Sequence, residues 1–114
     1  MLLMRGLEKI GELAIYWGVI EMKLKNSMLV VTDIEKSVEF YKKIFGLHII
    51  MDFGANKTLT GGLVLQTAET YREFIGTSKI FFGGNNFEIY FEEDEFDKFA
   101  SKLKDYDIEY VHPI

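Results

Sequence analysis

The chain writes one short plan twice. Residues 26–33 (Asn-Ser-Met-Leu-Val-Val-Thr-Asp) lead as a strand into a helix over residues 34–45, and residues 88–94 (Glu-Ile-Tyr-Phe-Glu-Glu-Asp) lead into a second helix over 95–106. A shift of 62 positions (91 − 29 = 62) sets Leu29 on Phe91, Ile34 on Phe96, Val38 on Ala100 and Tyr41 on Leu103. A repeated strand-helix unit predicts a duplicated α+β architecture. After the first helix there is room for further strands before the second copy begins, whereas only residues 107–114 follow the second helix. The second copy is therefore expected to be incomplete, and the strands it lacks are places where site residues would sit.

At 114 residues the chain has the length of one domain with a real core, not of two independent ones. A 48% hydrophobic and 15% aromatic content is that of a folded globule. The absence of Cys rules out a disulfide scaffold, a thiolate metal site and a cysteine nucleophile, and it fits a reducing, cytoplasmic setting. Thirteen basic against eighteen acidic side chains give a formal charge of -5. That balance argues against nucleic-acid binding, which rests on Lys and Arg neutralising phosphates. A neutral or cationic small molecule suits it better.

Residues 1–21 stand apart. Leu3, Leu7, Ile10, Ala14 and Trp17 recur at helical spacing, but Gly6, Gly11 and Gly18 weaken a helix. The segment reads either as a packed helix or as an extension ahead of Met22. Arg5, Glu8, Lys9 and Glu12 interrupt it, so it does not provide the roughly 20 apolar residues of a membrane span.

Leu29-Val30-Val31 reads as a strand buried on both faces. Thr32 or Asp33 caps the helix that follows, with Ile34, Val38, Tyr41 and Phe45 as its apolar stripe and Gly46 as its left-handed stop. Residues 47–53 alternate as a strand, 54–57 make a turn, 58–60 form a short strand, Gly61-Gly62 a second turn, and 63–67 a further strand. Residues 68–75 form a short helix closed by Gly76. Residues 79–82 make a minor strand, and Gly83-Gly84-Asn85-Asn86 is the linker between halves. In the second half Phe87, Ile89 and Phe91 alternate against Glu88, Tyr90 and Glu92 as a strand. A last strand is expected over 108–111, stopped by Pro113.

The run from Leu29 through Asp33, Ser37, Phe40 and Tyr41 to Gly46 and Leu47, in the pattern Asp-x-x-x-Ser-x-x-Phe-Tyr-x-x-x-x-Gly, resembles the opening module of the vicinal oxygen chelate superfamily. That group includes glyoxalase I, bleomycin-resistance proteins and extradiol dioxygenases. Residues 87–94, leading into Phe96 and Leu103 and then Tyr110-Val111-His112-Pro113, are similar to the start of its second module. The resemblance implies an α+β domain over 22–114 built of paired βαβββ modules, the glyoxalase/bleomycin-resistance fold. The first module would span about 24–82 and a partial second one about 86–114.

In the family's metalloenzymes, four side chains in the cup bind a divalent metal that acts as Lewis acid and template. On this sequence the first-strand ligand position falls on Asn26, a weak ligand for Zn, Ni or Fe. The matching second-module position is Glu88. A third falls at Val64 or Gln66, and the fourth lies beyond Ile114. A catalytic metal site needs three protein ligands and an open position, so no metal or cofactor is expected here. His48 and His112 lie outside the family's ligand positions and read as surface residues. Gly61-Gly62 and Gly83-Gly84 read as turns, not phosphate loops.

The expected function is binding of a small molecule in a cup lined by Asn26, Met28, Gln66, Glu88, Tyr90 and Glu92, with no catalytic residues. Glu88 and Glu92 would stand roughly 13 Å apart on one strand, an acidic wall with Tyr90 between them. One alternative is a metal-dependent glyoxalase-type lyase or transferase, its site completed by further residues or a partner chain. Another is a module that only mediates association. A homodimer is expected, because an open second module exposes a sheet edge.

Overall fold

The computed structural model describes residues 22–77 and 79–110. The expectations placed on residues 1–21, on Val111 and on His112 lie outside the described residues.

Strand β1 (Ser27–Val31) runs into helix α1 (Ile34–Phe45). Strands β2 (Ile49–Asp52), β3 (Asn56–Leu59) and β4 (Leu63–Thr67) follow, with a tight 3-10 turn at residues 60–62 joining the last two. The four strands form one sheet in the order β1-β4-β3-β2, with β1 parallel to β4 and the other neighbours antiparallel. This is a single βαβββ module with the glyoxalase/bleomycin-resistance arrangement. Helix α2 (Ala68–Ile75) follows β4 directly, and helix α3 (Phe96–Leu103) lies in the second half.

Local chemistry explains the elements. At the start of α1 the Asp33 carboxylate accepts a hydrogen bond from the backbone N–H of Lys36 at 3.1 Å, satisfying an amide that has no partner in its own first turn. Of the two candidates, Asp33 is the cap. Gly46 ends the helix at φ +69, its N–H on the Lys42 carbonyl. Helix α2 has the same design at smaller scale: Thr67 accepts from the N–H of Thr70, and Gly76 stops it at φ +71.

The core lies between α1 and one face of the sheet. Leu59 and Leu65 are fully buried there, with Ile34 and Leu63 beside them and Leu29, Val31, Val38, Tyr41 and Leu47 packed around. Full burial of a Leu side chain is worth about 1.5–3 kcal/mol, so these two are the anchors of the module. Lys57 shares this face and is only 6% exposed. Its ammonium lies 2.7 Å from an Asp52 oxygen and 3.8 Å from one of Glu35, so the buried charge is paired rather than stranded.

Several sequence expectations are corrected. Strand β3 begins at Asn56, where a turn was expected, because Lys57 finds Asp52 and Asn56 finds Gln66. Residues 79–82, 87–91 and 108–110 are not in strands. The alternation of Phe87, Ile89 and Phe91 is present, but a strand also needs a backbone neighbour, and residues 79–94 make no backbone-to-backbone hydrogen bond among the described residues. Helix α3 is shorter than the expected 95–106.

Candidate functional site

Strand alternation sends Leu29, Val31, Leu63 and Leu65 towards α1 and the intervening residues to the opposite face. The register sets Met28 beside Val64, Val30 beside Gln66, Asn56 beside Gln66 and Thr58 beside Val64. Asn26 continues the same parity just before β1. The first half of the expected cup therefore exists as one face, and its polar members are neutral amides and hydroxyls.

These groups are already engaged with one another. The Gln66 side chain accepts from the Asn56 amide at 3.1 Å and donates to the Thr70 hydroxyl at 3.3 Å. Thr70 in turn meets the Thr67 hydroxyl at 2.7 Å. The Asn26 amide donates to the Gly62 carbonyl at 3.0 Å. Gly62 must be glycine for this approach: at φ +89, a Cβ there would lie 2.7 Å from the Lys25 carbonyl oxygen. The link between the start of β1 and the turn before β4 thus orients Asn26.

A cleft of about 510 Å³ opens next to this link. Asn26, Lys25 and Gly62 form one wall, Glu88, Tyr90 and Phe91 the other, and Leu47 and Leu63 lie among its apolar lining. The Tyr90 hydroxyl donates to the Glu88 carboxylate, which holds Tyr90 above the usual phenol range. Tyr90 is 86% exposed, so its ring is open for stacking. A second cleft of about 460 Å³ is lined by Met28, Leu29 and Val30 against residues 79–84, 86 and 87 and against Tyr71 and Ile75 of α2.

Of the six residues the sequence pointed to, the structure brings Asn26, Glu88 and Tyr90 to one cleft, and Met28 to the second. Gln66 sits on the same sheet face, inside the amide network. Glu92 is exposed and lines neither cleft, since residues 87–91 do not form the strand that would align it with Glu88. Sequence reasoning missed Asn56, Thr58 and Thr70. For Asn56 and Thr58 the signal was the parity of β3, which reading residues 54–57 as a turn cut short at Asn56; Thr70 lies in the first turn of α2, within reach of Thr67 and Gln66.

The donors do not fit a divalent metal. No three His, Asp or Glu side chains converge among the described residues. At the positions the resemblance marks, Asn26 turns its amide nitrogen to a carbonyl and Gln66 is bonded on both sides. His48 is exposed, and its backbone pairs with Thr60. No helix among the described residues is long and apolar enough to cross a membrane.

Comparison with known proteins places this geometry. No curated protein matches the chain. Among solved structures, a protein of unknown function from Agrobacterium tumefaciens str. C58 superposes with a TM-score of 0.73 at 29% identity, over 82% of this chain and 75% of that one. A glyoxalase/bleomycin resistance protein/dioxygenase from Nocardioides superposes with a TM-score of 0.57 at 22% identity, over 91% and 76%. At that identity the second likeness speaks for the fold. The family model for the glyoxalase-like domain matches residues 24–114, and the chain belongs to that family.

Proposed function

We propose that this chain binds a small molecule and carries out no chemistry of its own on it. The observation that carries the reading is the state of Asn26 and Gln66: where the family resemblance marks metal ligands, two neutral amides are held in internal hydrogen bonds. Such a face offers directional hydrogen bonding without Lewis acidity. The cleft shared by Asn26, Glu88 and Tyr90 has the volume and mixed lining of a ligand site. Its carboxylate and open phenol ring favour a cationic, partly aromatic ligand. The Nocardioides neighbour's name includes bleomycin resistance, and a cationic glycopeptide is the first ligand to try. The setting we propose is cytoplasmic.

Calorimetric titration of the protein with bleomycin tests this. Saturable binding that falls about two- to fivefold in Tyr90→Ala, loss of an exposed ring contact worth about 0.5–1 kcal/mol, is the expected result. An isotherm with no heat and no thermal shift would remove this ligand class. A methylglyoxal–glutathione assay with added Zn, Ni or Fe tests the enzyme instead. Turnover above the buffer rate would overturn the non-catalytic reading.

A further inference from the structure

Beside the end of α1, a cleft of about 490 Å³ holds Glu93, Glu95, Lys98 and Lys102, and each has a partner within the chain. Lys98 lies 3.6 Å from a Glu95 oxygen, Lys102 donates to the Ile44 carbonyl at 3.3 Å, and Glu93 accepts from the Glu95 N–H at 3.1 Å. The cleft between residues 24–27 and 88–91 differs. Its charged lining residues are Lys25 and Glu88, one of each sign, on facing walls. They do not pair with each other, and neither forms an ion pair with any other of the described residues.

Both walls are anchored. Asn26, next to Lys25, donates to the Gly62 carbonyl, and the Lys25 carbonyl is the group that a Cβ at Gly62 would strike. Strand alternation carried back from β1 puts Lys25 on the side of Ser27 and Leu29, the side on which Leu47 and Leu63 pack. On the other wall Phe91 stacks on Phe45 with ring centroids 4.0 Å apart, and Glu88 accepts from the Tyr90 hydroxyl. One such bond leaves most of the acceptor sites of the carboxylate open.

Two opposite charges kept apart across an apolar lining define a ligand by its own charge pattern. A plain cation satisfies Glu88 but carries its charge up to the Lys25 ammonium, and a plain anion meets the converse. Given that this cleft is the small-molecule site proposed above, we infer that it selects a zwitterion: an ammonium for Glu88, a carboxylate for Lys25, and an apolar, preferably aromatic, body between them beside Tyr90. The chain's formal charge of -5 does not oppose this, because within the cleft the two signs balance. Each exposed pair adds little attraction by itself. Selectivity comes from the repulsion that a ligand with the wrong pattern meets.

Ligand-observed NMR titrations with three probes of one shape test this. Of these, p-(aminomethyl)benzoate carries both charges, p-(aminomethyl)benzamide only the cation and p-toluate only the anion. The zwitterion is expected to bind about fivefold more tightly than either relative, each lacking one ion pair. Lys25→Met should abolish its advantage over the benzamide, and Glu88→Gln its advantage over p-toluate. Lys25→Glu should reverse the preference, so that p-xylylenediamine binds better than the zwitterion. Both side chains are exposed, and unchanged thermal melts would confirm that the variants are folded. A benzamide that binds the wild-type protein as tightly as the zwitterion would overturn the charge selection and leave the small-molecule site standing. If none of the three binds, the proposal falls whether or not bleomycin binds, and only the loss of both removes the site.

Discussion

Gly62 shows how one residue holds the site together. Its positive φ alone does not distinguish it, since Gly61 has φ +84 with nothing within 4 Å of a would-be Cβ. What distinguishes Gly62 is the Lys25 carbonyl, a backbone group that cannot swing aside. Gly61→Ala is expected to lose about 1–2 kcal/mol for the left-handed conformation, and Gly62→Ala more, because strain and collision add. Urea unfolding of the two variants checks this; equal losses would mean that the approach to Lys25 is not tight. The doublet was legible in the sequence as a turn. Which glycine was obligatory was not, since that depends on a carbonyl 37 positions away (62 − 25 = 37).

Among the elements, the β2–β3 hairpin is the most instructive. Residues 34–45, 63–67 and 68–75 have the bounds that their apolar periodicity and glycine stops predict. Strand β3 escaped because Asn56 and Lys57 look like turn residues until their partners are known. Lys57 is clamped by Asp52, whose carboxyl is held below its usual range first by the Lys57 ammonium and then by the Gly54 N–H. A depressed carboxyl pKa stabilises the fold above its unfolded value of about 3.9, and that stability is lost as pH falls through the folded value. Asp52→Asn should therefore flatten the acid limb of the stability profile below about pH 4. Urea midpoints measured across that range test it, and parallel profiles for the two proteins would assign the acid limb elsewhere.

At the scale of the molecule, the two halves meet mainly through aromatic rings at the end of α1. Phe45 stacks on Phe91 with ring planes 11° apart and touches Phe99, and the Lys102 ammonium reaches the Ile44 carbonyl at 3.3 Å. That amine satisfies a carbonyl of the last turn of α1, where a positive charge also suits the helix dipole. A double-mutant cycle on Phe45→Leu and Phe91→Leu should return about 0.5–1.5 kcal/mol of coupling. Coupling near zero would show that the halves are not joined through this stack. The repeat in the sequence announced a second strand-helix unit, and the helix is there. The strand is not, because alternation specifies which side chains share a face, whereas pairing requires a second backbone.

The amide face formed by Asn26, Asn56 and Gln66, with Thr58 and Thr70 beside it, contains nothing that titrates near neutrality. A ligand held chiefly by these groups would be gripped equally well at about pH 6 and about pH 8. Protonation over that range leaves the hydrogen bonds of this face, Asn56 to Gln66 and Gln66 to Thr70, as they are.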